Sequence, residues 1–338
     1  MFLMDKQSNY KKLFEDFNGL TIMVIGDVMV DSYLWGKVER ISPEAPIPIV
    51  ALRRRENRMG GAANVAMNIK SMGARPILCS VIGEDSKGAN FLDLLKKEKI
   101  SAHGILRSSQ RITTTKFRIF GNSTQMLRVD EEVEDDLSEK DRTNLLTRID
   151  NILAKEKIDG IIFQDYNKGV INSILIQEVL NRAKTKNIPV AVDPKKKNFY
   201  NFTGVTLFKP NLKEMKEGMK VEFDNNDREM LLSAAQNLRE KIDCRYLLTT
   251  LSDLGVMMSM KDSGDVKNIF IPAHLRSISD VSGAGDTVIS VASLCLATEC
   301  TPYEIAYISN LAGGLVCEEV GVVPVNKDKL LKEVLALL

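Results

Sequence analysis

Short apolar runs that end in glycine or aspartate alternate along this chain with segments of helical period, and that alternation limits the possible folds more than any other feature. Residues 20–25 are nearly all apolar and close on Gly26-Asp27; Ala62, Val65, Ile69 and Met72 follow at helical spacing and stop at Gly73. Residues 77–82 repeat the apolar run and close on Gly83. Ser138 and Asp141 stand in a capping-box-like spacing that opens a helix. Residues 160–163 and 190–192 are buried-strand candidates flanking a helix predicted over 171–186, and the second of them ends at Asp193-Pro194. Leu231, Ala235, Leu238 and Ile242 then mark an amphipathic helix leading into a strand at 246–249. Strands that are apolar on both sides must be covered on both sides, so the class is α/β: a mostly parallel central sheet in a three-layer α/β/α arrangement. No repeat, linker or low-complexity tract interrupts the 338 residues, which predicts one domain over 1–338.

Two stretches break the rhythm. Residues 33–55 carry Pro43, Pro46 and Pro48 among β-formers, and residues 112–129 alternate Thr, Phe, Ile and Leu with polar residues. They read as extra strands outside the main sheet, a small β lid formed by about 32–56 and 101–131, or as plain decorative hairpins. Placed near the carboxyl ends of the sheet strands, a lid covers the region where α/β proteins bind ligands.

Composition removes several functions. Lys and Arg total 46 against 45 Asp and Glu, a net charge of +1, so there is no surplus to bind nucleic acid or an anionic membrane generally. Any anionic ligand must be held locally. Aromatic residues are only 6% of the chain, too few for extended base-stacking platforms. The five cysteines at 79, 244, 295, 300 and 317 are odd in number and mostly sit in apolar runs, as reduced thiols of a cytoplasmic protein do. Cys295 and Cys300 have no histidine at ligand spacing, since His103 and His274 are the only two, and no structural zinc is expected. The longest nearly apolar run, 288–297, falls well short of the roughly 20 residues that span a bilayer.

The sharpest local signal is Asp280-Val281-Ser282-Gly283-Ala284-Gly285-Asp286-Thr287 ahead of an apolar helical run. Small residues let the backbone turn tightly and approach a ligand, and a helix that starts there points its free N–H groups at the same spot. Gly283, Ala284 and Gly285 then form an anion hole, with Asp286 beside it to accept a proton from an attacking nucleophile. The plainer reading is a flexible turn with an aspartate favoured at a helix start. A dinucleotide fingerprint fails because Val288 occupies the third glycine position, and no P-loop occurs. Gly60-Gly61-Ala62-Ala63-Asn64 is a second glycine turn into a helix, either a polyhydroxyl-binding element through Asn64 or close helix packing.

Together these turns resemble the signatures of the ribokinase-like, or PfkB, sugar kinases. Gly60, Gly61, Asn64, Ala66, Gly73 and Gly83 match the first, and 280 to 290 match the second, departing at Val291. Asn211-Leu212-Lys213-Glu214 resembles the family's NxxE motif, and residues 250–256 its nucleotide-binding strand and turn. Within the family, Arg40-Ile41-Ser42-Pro43-Glu44-Ala45-Pro46, Gln125–Asp130, Asp165-Tyr166-Asn167-Lys168-Gly169 and Val192-Asp193-Pro194-Lys195 are similar to the D-glycero-β-D-manno-heptose 7-phosphate kinases of lipopolysaccharide core biosynthesis.

The resemblance implies an ATP- and Mg2+-dependent transfer to the anomeric hydroxyl of a sugar phosphate. It assigns Asp286 as base, with the backbone of Gly283, Ala284 and Gly285 stabilising the transferring group. Asp31, Gly60, Gly61 and Asn64 contact the sugar, although Asp31 alone reads as a turn residue. Lys116, Arg118, Arg128, Lys168 and Lys195 are the candidate cations for its phosphate, each singly a plausible surface charge. Thr250, Ser252, Gly255 and Asn310 are assigned to the nucleotide, and Asn211 and Glu214 to magnesium through its water shell. A homodimer through the lid strands is expected, and the end at Leu338 fits either a stand-alone kinase or one excised from a fusion with a nucleotidyltransferase. A kinase of another sugar or nucleoside, or an idle binding protein of the same fold, are the competing readings.

Overall fold

A computed structural model describes residues 2–262, 265–274 and 276–337. In chain order the elements are α1 (Phe2–Asp16), β1 (Thr21–Gly26), β2 (Val28–Ile41), β3 (Pro48–Gly61), α2 (Ala62–Ser71), β4 (Arg75–Gly83), α3 (Ser86–Lys97), β5 (Ile105–Ser108), β6 (Thr115–Gly121) and β7 (Thr124–Glu131). Then come α4 (Glu139–Lys155), β8 (Gly160–Gln164), α5 (Ser173–Thr185), β9 (Val190–Asp193), β10 (Leu207–Phe208), α6 (Leu212–Met219), α7 (Arg228–Ile242) and β11 (Tyr246–Thr250). The hairpin β12 (Val256–Asp262) and β13 (Asp265–Ile271) precedes α8 (Ala284–Ala297), α9 (Pro302–Val316) and α10 (Lys327–Ala336).

The main sheet has the order β13-β12-β11-β10-β9-β8-β1-β4-β5, parallel from β11 to β5 and antiparallel at β12 and β13. Strand β1 shows why it is covered on both sides. Ile22 and Val24 enter a core with α2, α8 and α9, while Met23 and Ile25 enter another with α4, α5 and α7. The alternation of the pleat thus divides one apolar run between two layers. Helix α8 is buried from Asp286 to Cys295, which its almost uniformly apolar and small residues permit.

The extra strands form a separate four-stranded sheet, β3-β2-β6-β7, with β2 and β6 parallel. Its bounds differ from expectation in two respects. Strands β2 and β3 run to 28 and 61, so the lid grows directly out of Gly26-Asp27 and returns directly into α2. Within 101–131, β5 pairs with β4 at the edge of the main sheet and is not lid. The antiparallel hairpin β12–β13 was not anticipated, because its alternating residues lack the long apolar run that marked the parallel strands.

Candidate active site

The carboxyl ends of five neighbouring strands converge on one place. Strand β1 runs into Asp27, β8 ends at Gln164 with Asp165 and Tyr166 following, β9 ends at Asp193, β10 is followed by Lys209, and β11 ends at Thr250. Buried Asp27 organises the loop after β8: one carboxylate oxygen accepts the N–H groups of Tyr166 and Lys168 at 2.9 and 3.1 Å, and the other accepts that of Val170 at 2.9 Å. The left-handed backbone at Asn167 and Gly169 curls the loop around it. Gly61 also has positive φ and caps α2, and a side chain there would collide with the Asp27 carbonyl.

Asp286, in the first turn of α8, is 5% exposed. Its Oδ2 accepts from the Asn64 amide at 2.7 Å, and its Oδ1 from the Tyr166 hydroxyl at 2.7 Å and the Gln164 amide at 3.1 Å. Gln164 also donates to Asp193 at 3.1 Å, and Asp193 forms a buried ion pair with Lys209 at 3.1 Å. Burial pushes the Asp286 carboxyl up to about 6, against the lowering effect of Asn64 and Tyr166. Asp286 is thus a stronger base than a surface aspartate, yet mostly ionised at neutral pH.

Gly283 caps α8 in the left-handed region at φ +83°. Of the first backbone donors of α8, Ala284 N–H turns to the Val281 carbonyl at 3.3 Å and Thr287 N–H to Gly283 at 3.0 Å. Gly285 and Asp286 N–H have no intrahelical acceptor, as expected in a first turn. A Cβ at Gly285 would have Lys209 Nζ at 3.7 Å and Asp193 Oδ2 at 3.9 Å. Donors and a buried ammonium thus flank the same point. It opens on a cavity of about 200 Å³ lined by Asp286, Gly283, Gly285, Lys209, Lys195 and Glu214 among others.

Asn211 and Glu214 cap α6 reciprocally. Asn211 Oδ1 accepts Glu214 N–H and Glu214 Oε2 accepts Asn211 N–H, both at 2.8 Å, while Glu214 Oε1 pairs with Lys195. Each carboxylate oxygen keeps a second lone pair, which suits holding the water of a hydrated cation. Among the described residues no group of three His, Cys, Asp or Glu side chains forms a metal cage. The lone pairs left on Glu214 fit the water shell of a magnesium ion carried by nucleotide phosphates.

Thr250, Ser252, Gly255 and Asn310 line one cavity of about 240 Å³, together with Ala284, Gly285 and Val288 of α8 and Gly313 and Gly314 of α9. Thr250 and Gly285 border both cavities. Asn310 donates to the Pro272 carbonyl at 2.9 Å, so it also holds the loop after β13.

The carboxylate of Asp31 packs against Gly60 and pairs with Arg118. The candidate phosphate cations do not form one free cluster. Lys116 contacts Asp130 and Glu132 at 3.0 and 3.1 Å, Lys168 contacts Glu132 and Glu134 at 2.8 and 2.6 Å, and Arg128 contacts Asp130 at 3.0 Å. Lys195 stands apart from these, against Glu214 in the Asp286 cavity. Gln164, Tyr166, Asp193 and Lys209 belong to the site without having been singled out as site residues. Their shared signal is position, at or just beyond the carboxyl end of a short parallel strand.

The pfkB family carbohydrate kinase profile matches residues 20–329. The chain belongs to that family. It is 37% identical over 301 residues to the Bifunctional protein HldE of Helicobacter pylori strain J99, covering 89% of this chain and 63% of the relative. It is 35% identical over 327 residues to that of Syntrophotalea carbinolica, covering 97% and 65%. The chain thus spans under two thirds of the length of these relatives. Among solved folds, Escherichia coli phosphofructokinase-2 in complex with potassium superposes with a TM-score of 0.75 over 94% of this chain and 98% of that one, at 18% identity. Arabidopsis thaliana ribokinase complexed with ribose and ATP gives 0.70 over 93% and 98%, at 16%. This pfkB-family chain has the ribokinase-like fold, and no helix among its described residues is long and apolar enough to cross a membrane.

Proposed function

We propose that this cytoplasmic kinase phosphorylates D-glycero-β-D-manno-heptose 7-phosphate at its anomeric hydroxyl, giving heptose 1,7-bisphosphate for ADP-heptose and lipopolysaccharide core synthesis. The observation that carries the chemistry is the buried Asp286 carboxylate, set between the Asn64 amide and the start of α8, beside Lys209. The likeness to the HldE relatives and the Ser42-Pro43-Glu44-Ala45-Pro46 and Asp165-Tyr166-Asn167-Lys168-Gly169 segments support the heptose acceptor.

The acceptor hydroxyl lies against Asp31, Gly60, Gly61 and Asn64, and Asp286 takes its proton as the oxygen attacks the γ-phosphorus. That O–P bond forms as the bond from γ-phosphorus to the bridging oxygen breaks, and the electron pair leaves on ADP. Transfer of this kind is loose, so positioning and charge stabilisation dominate over base strength. Gly285 N–H and Lys209 stabilise the equatorial oxygens, while the turn of Gly283 and Ala284 keeps the helix end open to them. Thr250, Ser252, Gly255 and Asn310 shape the nucleotide side. Asn211 and Glu214 would hold the water shell of a bound magnesium ion, which would supply positive charge against the nucleotide phosphates. Lys116, Arg118, Arg128 and Lys168 face the acceptor phosphate, which takes the place of the carboxylates now paired with them, and the protein works as a homodimer joined through its lids.

The test is ATP consumption across a panel of heptose 7-phosphate, fructose 6-phosphate, ribose and a nucleoside, with 31P NMR of the product. A new anomeric phosphate on the heptose, at kcat/KM at least about 100-fold above the others, is expected. Preference for another acceptor overturns the substrate, and binding without turnover on any acceptor overturns the activity.

A further inference from the structure

Asp286 has four lone-pair positions on two oxygens, and three are taken, two on Oδ1 and one on Oδ2. Among the described residues Asn64 alone donates to Oδ2, which leaves that oxygen a lone-pair position open to a sugar hydroxyl. The other two donors are fixed. Gln164 is pinned between two carboxylates, and its own Oε1 is buried without a protein partner, so turning the amide would set oxygen against oxygen. Tyr166 is anchored at its backbone N–H by Asp27 at 2.9 Å, and the Lys195 ammonium lies 5.7 Å from its ring centre.

We propose that the two oxygens of Asp286 divide the work: Oδ1 is the anchored oxygen, held by Gln164 and Tyr166, Oδ2 is the oxygen that receives the acceptor proton, and Tyr166 is the positioning residue of the base. The inference rests on reading Asp286 as that base. The acceptor O–H bond breaks toward Oδ2, its oxygen bonds to γ-phosphorus, and ADP leaves with the electrons of the broken bridge. Tyr166 donates throughout, because burial and the neighbouring Asp286 charge raise its hydroxyl well above the usual phenol range. The other charged groups that bear on Asp286 are Asp193, Lys209 and Lys195, and phenylalanine at 166 keeps the ring that Lys195 lies over.

A donor to a carboxylate favours its charged form, so removing the phenol oxygen raises the base's pKa and loosens its aim. For Tyr166→Phe the acid limb of kcat should move up by about one pH unit. Turnover on the plateau should fall roughly tenfold, with KM for ATP and acceptor within about twofold of the parent. A limb that stays in place, with or without a fall in kcat, overturns the proposal, since a packing role for the ring leaves the base's titration alone. Should the phenylalanine variant fail to fold, a fluorotyrosine at 166 supplies a stronger donor and must move the limb down; an unmoved limb again overturns it. Asp286→Asn run alongside separates the two levels: turnover retained there defeats the base itself, whereas turnover lost there with an unmoved Tyr166→Phe limb defeats only the division of labour.

Discussion

At the scale of single residues the site opposes folding to serve chemistry. The Asp286 carboxyl is raised from 3.8 to about 6 by burial. Between those values the folded protein holds a proton that the unfolded chain has released, so stability falls as pH rises through the window and the loss is complete above it. Asp286→Asn removes the buried charge while keeping the shape, and its amide oxygen can still accept from Tyr166 and Gln164. The variant should be more stable than the parent at pH 8 by about 1–3 kcal/mol, with the difference closing toward pH 4. Its turnover should fall by at least about 100-fold. Urea denaturation at the two pH values and an ATP-consumption assay measure both; a variant less stable than its parent at pH 8 contradicts the burial argument. Asp286 was legible in sequence because glycines and a helix start surround it. Tyr166 and Gln164 were not, because no local spacing tells that the end of β8 meets a residue 120 to 122 positions further on.

At the scale of elements, the start of α8 separates two kinds of glycine. Gly283 sits at φ +83° with a Cβ position 3.0 Å from the Asn64 amide, so Gly283→Ala strains the backbone and should cost about 1–2 kcal/mol. Gly285 lies inside the helix, and a Cβ there meets only ordinary contacts near Lys209 and Asp193. Gly285→Ala should leave stability unchanged or raise it by up to about 1 kcal/mol, because alanine favours the helix. Both should lose at least about tenfold in turnover, since the Gly285 methyl fills the space left for the transferring group. Thermal unfolding and steady-state kinetics of the pair check this, and an active Gly285→Ala enzyme would remove α8 from the transfer site. The strands and helices of the parallel layers were readable because each carries one apolar pattern that a single packing explains. Asn211-x-x-Glu214 shows the limit: its spacing is that of a capping box and of a magnesium motif at once, and the fold uses it at least as the former.

At the scale of the whole molecule, near-neutral charge takes on a structural form, because almost every cation near the acceptor side already faces a carboxylate. Two lid cations, Lys116 and Arg128, and Lys168 of the loop after β8 share Asp130, Glu132 and Glu134. A bound phosphate therefore exchanges one anion for another rather than filling a positive void, which composition alone does not reveal. The lid also has two chemically different faces. Asp31, Tyr33 and Arg118 form one, with both Arg58 and Arg118 against the Tyr33 ring and Trp35 stacked on Phe120. Strand register puts Leu34, Ile119, Leu127 and, across from Gly36, Leu52 on the other. Leu52 and Leu127 are each more than half exposed, Ile41 and Val129 are exposed on the same small sheet, and Ile47 is exposed just ahead of β3. Leucines left open on the face away from the ligand are best covered by the same face of a second copy, which also shields the free edges of β3 and β7. Light scattering after size exclusion should give a dimer for the parent and a monomer for the double variant Leu52→Asp, Leu127→Asp. Because these residues lie opposite the Asp31 face, the monomer should keep its KM for ATP while its KM for the sugar phosphate rises as the lid loses support. A double variant that remains dimeric places the contact elsewhere, and a monomeric parent removes the second copy from the fold's account of its own lid.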